Sequence, residues 1–306
     1  MKLTIKEFLE VFNEFELLTP DADLEKEITV PELSRPGIEL TGYTDFFPSY
    51  RIQLIGKQEV KYLESIGYNH EHVTRFLNSD IPIIIICRDL KVSDEFINLA
   101  NNNGIPVVRT SEVTSKVQAQ VFVYLEERLA PWKQIHGVCL SVHGTGIIIT
   151  GKSGAGKSEL ALELINRGHF LVADDSVIMK FIDDDHIIAS APDILKNRLE
   201  IRGLGIIDVT KLYGVTRVLE KIDVHLIIEI KPYEGNEERI GLNILYEEIE
   251  GHKIPKIVIP MSPGRNLANL VETAVANFNL KTIHNFDSAK VFKDELSSKL
   301  KEQSNG

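Results

Sequence analysis

One stretch of the sequence, "IIITGKSGAGKSELALELI" at residues 147–165, constrains the fold more than any other. Its apolar start predicts a strand, and the apolar spacing after the second lysine predicts a helix. Between them, "GKSGAGKS" fits the pattern G-x-x-x-x-G-K-[ST] at every position. Such a loop points several backbone amides at phosphate oxygens, and the helix N-terminus adds its dipole. The stretch therefore predicts an α/β domain that binds a nucleotide.

The residue types of the loop assign tasks within it. Lys157 is expected to reach the β and γ phosphates, and Ser158 is expected to ligate Mg²⁺. The residues predicted to contact the nucleotide are Gly151, Lys152, Ser153, Gly154, Ala155, Gly156, Lys157 and Ser158.

A phosphate loop needs an acid for metal or water, and "LVADD" at residues 171–175 offers Asp174 and Asp175 at the end of an apolar strand. Adjacent residues point to opposite sides of a strand, so we expect the two carboxylates to differ in their tasks. Burial, or the second carboxylate nearby, would raise the pKa of one of them towards the range useful to a general base.

Composition narrows the functional class. The 34 basic residues against 45 acidic ones give 34 − 45 = −11, which argues against non-specific nucleic-acid binding. Cys87 and Cys139 lie in apolar runs without a CxxC companion, so we expect neither a disulfide framework nor a zinc site. The first twenty residues lack a signal-peptide core, and no apolar run approaches the ~20 residues of a membrane helix. We expect a cytoplasmic protein that binds no membrane.

Residues 1–130 are predicted to form a small N-terminal α/β domain, because strand and helix patterns alternate there. Five isoleucines within "IPIIIIC", residues 81–87, predict a strand covered on both faces. Nothing in this half indicates a chemistry. Pro131 ends the last helical pattern, so the second domain is placed at 131–306.

The second half is predicted to contain hairpins and a mixed sheet. "HGVCLSV" and "GIIIT" form one expected hairpin, and "SVIMKFI" and "IIASA" form another across an acidic turn. "VHLIIEI" and "KIPKIVIP" predict further strands, and "NLANLVETAVANFN" predicts a helix. No N-K-x-D motif of GTPases is present, and the motif set of eukaryotic-type protein kinases is missing too.

Five stretches together, "IHG", "GKSGAGKSELALELINRGH", "LVADD", "LEIRGLGIIDV" and "PMSPGRNLANLVETAVANF", resemble the bacterial HPr kinase/phosphorylase family. The resemblance runs through the whole C-terminal half. It implies a P-loop kinase domain of the phosphoenolpyruvate-carboxykinase-like type. The family-specific regions correspond to Leu199, Glu200, Ile201, Arg202, Gly203, Leu204, Gly205, Ile206, Ile207 and Asp208, and to Pro260, Met261, Ser262, Pro263, Gly264 and Arg265.

The resemblance implies a bifunctional enzyme. With ATP and Mg²⁺ or Mn²⁺ it would phosphorylate a serine of HPr, the phosphocarrier of the sugar phosphotransferase system. With inorganic phosphate it would remove that group and release pyrophosphate, which controls carbon catabolite repression. The family also implies a homohexamer.

The resemblance also implies residue roles. Asp175 would accept the serine proton and return it in the reverse reaction, and His136 would tune that aspartate. Lys157 and Arg239 would stabilise the transferring phosphoryl charge. Ser158 and Glu200 are the implied Mg²⁺ ligands, with Asp174 acting through water.

The sequence departs from the family pattern at several positions. Family members commonly have P-V-R-P-G-R where this chain has Met261 and Ser262, and the lost arginine predicts weaker binding of inorganic phosphate in the phosphorylase direction. Lys152 stands where the family usually has an acid, and "SVHG" stands where it usually has an Asp and a Tyr; little effect is expected from either.

Two other functions remain open from the sequence. A small-molecule phosphotransferase related to phosphoenolpyruvate carboxykinase would need extra substrate arginines and a metal-binding histidine and lysine set, which the sequence does not display. A nucleotide-gated regulatory module would lack a base or a metal ligand, whereas Lys157, Ser158, Asp175 and Glu200 are all present.

Overall fold

The computed structural model describes residues 2–68, 70–232, 244–261 and 264–283. The chain divides into two compact units, residues 1–131 and 132–306. Within the described ranges, no helix combines the length and the apolar character needed to cross a membrane.

The first unit alternates short strands with helices. Its elements are β1 (Leu3–Thr4), α1 (Ile5–Val11), β2 (Glu16–Leu17), β3 (Glu27–Ile28), β4 (Leu33–Ser34), β5 (Ile52–Ile55), α2 (Lys57–Ile66), α3 (Glu71–Leu77), β6 (Ile84–Ile86), α4 (Asp94–Asn102), β7 (Val107–Arg109) and α5 (Thr114–Leu129).

A sheet with the order β2-β7-β6-β5-β4 lies at the centre of this unit, and only β2 is antiparallel to its neighbour. Side chains alternate across β6, because Ile83 and Ile85 join the core beneath α1 and α5 while Ile84 and Ile86 join the core beneath α2, α3 and α4. The expectation of a strand covered on both faces is confirmed.

The second unit contains more strand than helix. Its elements are β8 (Trp132–His136), β9 (Val138–Val142), β10 (Thr145–Gly151), α6 (Lys157–Asn166), β11 (Phe170–Ala173), β12 (Ser176–Phe181), β13 (Ile187–Ser190), β14 (Arg198–Ile201), β15 (Gly205–Asp208), α7 (Val209–Tyr213), β16 (Lys221–Pro232), β17 (Leu245–Ile249), β18 (His252–Met261) and α8 (Leu267–Ile283).

A mixed sheet organises the described part of this unit, in the order β11-β9-β10-β16-β13-β12-β8, with β18 and β17 attached beside β16. β16 joins its two halves: its first residues pair antiparallel with β13, and the rest pairs in parallel with β10 and β18. The hairpins predicted from sequence are confirmed as β9–β10 and β12–β13. The polar segment Trp132–His136 carries no apolar run, and the sequence did not predict it as a strand.

The strand directions bring the sequence motifs to one edge. β11 is antiparallel to β9, which is antiparallel to β10, so β11 and β10 run the same way. The C-terminal ends of β10, β11, β16 and β18 therefore lie at the same edge of the sheet, as ligand sites do in open α/β sheets. The phosphate loop follows β10 there, and "DD" follows β11.

Close backbone packing between β10 and β16 generates a stability prediction. A Cβ added at Gly146 would lie 1.9 Å from the carbonyl oxygen of Asp223. Because backbone must move to admit it, Gly146→Ala should lower the free energy of unfolding by ~3 kcal/mol, the upper end for overpacking, as measured by urea denaturation.

Gly144→Asn is the matched control. Gly144 lies in the neighbouring turn with φ 80° and nothing within 4 Å of an added Cβ, and asparagine tolerates this conformation. Equal stability of the two variants would contradict the account of β10–β16 packing.

Candidate active site

The phosphate loop, residues 151–158, runs from the last residue of β10 into the first residues of α6. Its backbone requires glycine, because Gly154 and Gly156 have φ of 79° and 77°. At Gly151 a Cβ would lie 2.7 Å from the carbonyl oxygen of Ile230 on β16. The glycines thus allow β10 to end against β16 and turn at once into a helix N-terminus.

Lys157 is buried within this loop, with 7% of its surface exposed. Its Nζ donates hydrogen bonds to the carbonyl oxygens of Gly151, at 3.1 Å, and Lys152, at 3.3 Å. The ammonium is therefore held at the centre of the loop, in the position from which it can neutralise a bound phosphate.

A cleft of about 520 Å³ opens in front of the loop. It brings together residues from the loop, from the turn after β11, from the end of β8 and from the β14–β15 hairpin. The lining residues are His136, Ser153, Gly154, Gly156, Lys157, Ser158, Glu159, Asp174, Asp175, Glu200 and Arg202.

Asp174 is the buried acid of the pair, with 4% of its surface exposed. Ser158 Oγ donates to its Oδ1 at 3.0 Å, and the backbone N–H of Glu200 donates to its Oδ2 at 2.9 Å. Burial raises the pKa of the Asp174 carboxyl, although these hydrogen bonds and one from the Asp175 backbone oppose the rise. Burial therefore raises the pKa of Asp174, whereas the family resemblance assigns the role of base to Asp175.

Asp175 faces the solvent side of the same cleft, in contact with His136. The Nδ1 atom of His136 lies 3.0 Å from Oδ1 of Asp175 and 2.9 Å from its carbonyl oxygen. Both oxygens are acceptors, so Nδ1 carries a hydrogen in this arrangement. Both side chains are more than half exposed, which leaves room for a substrate hydroxyl beside the carboxylate.

Backbone conformation, rather than strand alternation, separates the two acids. β11 ends at Ala173, and Asp175 has φ of 63°, a left-handed conformation in the turn before β12. His136 is the last residue of β8, whereas the sequence predicted it at the start of a strand. It reaches Asp175 because it pairs with Ser176 across β8 and β12.

The "LEIRGLGIIDV" stretch forms the hairpin β14–β15. Leu199 and Ile201 point into the core, whereas Glu200 is exposed and lines the cleft. Gly203 and Gly205 have φ of 85° and 84°, so the turn between the strands depends on both glycines.

The donor atoms at the mouth of the loop suit a hard cation. The Ser158 hydroxyl and the carboxylates of Asp174 and Glu200 are all oxygen ligands, as Mg²⁺ prefers. These residues therefore fit the metal that a nucleotide site requires.

Other predicted residues lie outside this cleft or outside the described ranges. Lys152 and Gly151 line a neighbouring cleft with Glu229, Glu247 and Lys256, where Lys256 Nζ lies 2.6 Å from Glu229 Oε2. Pro260 and Met261 end β18 at the same sheet edge, and Gly264 and Arg265 are exposed before α8. Arg239, Ser262 and Pro263 lie outside the described residues.

Some residues around the candidate site were not predicted from the sequence. Glu159 lines the cleft, and its place directly after the loop serine was the available signal. The Glu229, Glu247 and Lys256 cluster has no local signal, because its members lie on three different strands.

Two known protein families together match nearly the whole chain. The family described as "HPr Serine kinase C-terminal domain" matches residues 127–296, and the family described as "HPr Serine kinase N terminus" matches residues 3–125. The two matches meet close to the division between the two compact units.

Named relatives agree with these matches. The HPr kinase/phosphorylase of Alkaliphilus metalliredigens (strain QYMF) is 41% identical over 281 residues, covering 90% of this chain and 91% of its own length. That of Bacillus cereus (strain G9842) is 38% identical over 303 residues, covering 98% and 97%. A solved HPr(Ser) kinase/phosphatase structure from Coxiella burnetii is 41% identical with a TM-score of 0.47, covering 52% of this chain and 98% of its own.

The burial of Asp174 predicts a pH-dependent gain in stability for Asp174→Asn without nucleotide or metal. The pKa of the Asp174 carboxyl is higher in the folded protein than in the unfolded chain, so ionisation of this group destabilises the fold at every pH above the unfolded pKa. This destabilisation reaches its full value above the folded pKa. The variant should therefore unfold at a higher urea concentration than the wild type at pH 8.

That advantage should shrink as the pH falls through the folded pKa towards 3.8. Asp175→Asn, at the exposed neighbour, serves as control and should show no such gain. A destabilised Asp174→Asn at pH 8 would mean that the three hydrogen bonds outweigh burial.

Proposed function

The chain belongs to the HPr kinase/phosphorylase family, and we propose that its P-loop cleft carries both reactions of that enzyme. The protein phosphorylates a serine of HPr with ATP, and it removes the phosphoryl group by phosphorolysis, which yields pyrophosphate. The supporting observation is that the Asp175–His136 pair and the loop lysine Lys157 line one cleft.

In the kinase direction, Asp175 is the base. Its exposed carboxylate accepts the proton of the HPr serine hydroxyl as the oxygen attacks the γ-phosphoryl group. Lys157 stabilises the charge on the transferring group, because its ammonium is fixed inside the loop. Arg239 is the further cation that the family resemblance assigns to this step.

In the phosphorylase direction the same groups run in reverse. Inorganic phosphate attacks the phosphoserine phosphorus, the serine oxygen leaves, and protonated Asp175 returns its proton to that oxygen, as microscopic reversibility requires. The new bond joins two phosphates as pyrophosphate, so no water is consumed.

His136 positions Asp175. Its Nδ1–H lies within hydrogen-bond distance of both the carboxylate and the carbonyl oxygen of Asp175, which fixes the direction of the side chain. The contact therefore holds the carboxylate of Asp175 in place at the mouth of the cleft.

Ser158 and Glu200 are proposed as Mg²⁺ ligands, with Asp174 behind them through a water. When bound, the metal withdraws charge from the β and γ phosphates. Asp174 orients both ligands, because it accepts from the Ser158 hydroxyl and from the Glu200 backbone.

We also propose that the second unit is a kinase domain of the phosphoenolpyruvate-carboxykinase-like type, which its mixed sheet with hairpins supports. The catalytic assignment concerns residues 131–306, and the N-terminal unit receives no role. The family resemblance supports a cytoplasmic homohexamer. Exposed Leu204, Ile206, Leu212 and Val215 around the β14–β15 hairpin favour a protein interface there.

The relatives favour this function over a small-molecule phosphotransferase, because this chain matches HPr kinase/phosphorylases along nearly their whole length.

Asp175→Asn tests the assignment of the base. Transfer in both directions should fall by ~10²–10⁴-fold, because the carboxamide cannot accept the proton, while ATP binding measured by calorimetry stays unchanged. Phosphoserine-HPr is followed by mass and pyrophosphate by coupled assay.

Asp183→Asn is the matched control, because Asp183 is another exposed acid with a histidine partner, His186, at 2.7 Å. It should leave both rates intact. Retained turnover in Asp175→Asn would remove Asp175 from the role of base.

Ser262→Arg tests the departure from the family pattern. An arginine can bind inorganic phosphate through two hydrogen bonds, so this variant should lower the KM for phosphate in phosphorolysis and leave the kinase rate unchanged. Steady-state rates at varied phosphate provide the measurement; an unchanged KM would show that Ser262 does not limit phosphate binding.

A further inference from the structure

Two histidines and a glutamate meet at the end of the sheet opposite the phosphate loop. His143 lies in the β9–β10 turn, His169 lies between α6 and β11, and Glu272 lies on α8. β10 runs for seven residues between this turn and the phosphate loop, which separates the two places by ~20 Å. The cluster is therefore distinct from the cleft of the P-loop.

The three side chains converge on one point. One ligand atom of each lies within 4.8 Å of the other two, and His169 Nε2 lies 2.9 Å from Glu272 Oε1. The imidazole rings of His143 and His169 pack edge to face with centroids 4.9 Å apart. His169 and Glu272 are largely buried and His143 is exposed, so the group is open on one side.

We propose that His143, His169 and Glu272 form a binding site for a divalent transition metal of the zinc class. Two imidazoles and one carboxylate are a donor set that Zn²⁺ and Co²⁺ accept and that Mg²⁺ or Ca²⁺ does not favour. The open side towards solvent supplies a fourth position for water.

The distances fit such an ion. Bonds of ~2.0–2.1 Å in tetrahedral geometry hold ligand atoms ~3.3 Å apart. The three ligand atoms lie within 4.8 Å of one another, and an ion would displace to solvent the proton that His169 Nε2 shares with Glu272 Oε1 at 2.9 Å. His143 is the exposed member of the group, so a rotation of its side chain can bring its ligand atom closer to the other two.

Surrounding groups orient the carboxylate. Arg167 Nη1 donates to Oε2 of Glu272 at 2.7 Å, so Oε1 is the oxygen that faces the histidines. Arg167 also forms an ion pair with Glu163, which reduces the repulsion between the guanidinium group and a bound cation.

An ion here would join the β9–β10 turn and the start of β11 to α8. It would therefore stabilise the folded second unit without touching the groups that transfer phosphate.

Co²⁺ titration in excess Mg²⁺ tests the proposal, because Mg²⁺ occupies oxygen sites and leaves a histidine site to Co²⁺. The wild-type protein should bind one Co²⁺ with the visible absorption of a nitrogen-ligated site, and its Tm should rise with Co²⁺ concentration.

His143→Asn is the sharpest variant. His143 has φ of 51° and precedes Gly144, with φ of 80°, and Asn-Gly is the favoured pair in such a turn, so the metal-free fold is preserved. Co²⁺ affinity should fall by more than about a hundredfold, because even outer partners of a metal ligand are worth ~10–100-fold, and the Co²⁺-dependent rise in Tm should vanish. Glu272→Gln should have the same effect.

His186→Asn and His136→Asn are the controls, since each removes an exposed histidine beside an aspartate. Both should keep the Co²⁺ site. The proposal is overturned if the wild type binds no Co²⁺ at micromolar concentration, if His143→Asn binds it as well as the wild type, or if His136→Asn is the variant that loses it.

Discussion

The buried carboxylate of Asp174 connects three of the four segments that line the candidate active-site cleft. It accepts a hydrogen bond from the first turn of α6 through Ser158 and another from the β14–β15 hairpin through the Glu200 backbone. An ionised carboxylate with little exposure is stable only when such donors surround it. Hydrogen bonds to this one side chain therefore link the start of α6, the turn after β11 and the hairpin.

The same arrangement gives two neighbouring aspartates different chemistry. Asp174 is enclosed and holds the two proposed metal ligands, whereas the left-handed backbone at Asp175 turns the next carboxylate out towards His136. A base that must accept a proton from one protein and return it needs access to that protein. The exposed side chain of Asp175, the proposed base, has that access, whereas Asp174 is buried.

The sequence determined the parts of this site that are local. The loop, α6 and the hairpins β9–β10 and β12–β13 follow from glycine placement and apolar spacing, and all are present. Pairings between distant segments could not be predicted, because no local pattern encodes that β16 lies between β10 and β13. For the same reason, the sequence could not show which of the two aspartates is buried or which cations surround Glu229.

The His143, His169 and Glu272 cluster shows the same limit, because its members are up to 129 residues apart, 272 − 143, and no spacing motif joins them. β8 escaped prediction for a different reason: Trp132–His136 is mostly exposed and polar, and a strand without a buried face carries little signal.

In the proposed reactions, one cleft moves a phosphoryl group on and off a protein serine without using water. The most direct measurement incubates the protein with HPr carrying radiolabelled phosphoserine, Mg²⁺ and unlabelled inorganic phosphate, and separates the labelled products. Phosphorolysis predicts that the label appears in pyrophosphate and that no label is released when phosphate is omitted. Label in inorganic phosphate, formed at the same rate with or without added phosphate, would show that the protein hydrolyses phosphoserine-HPr instead.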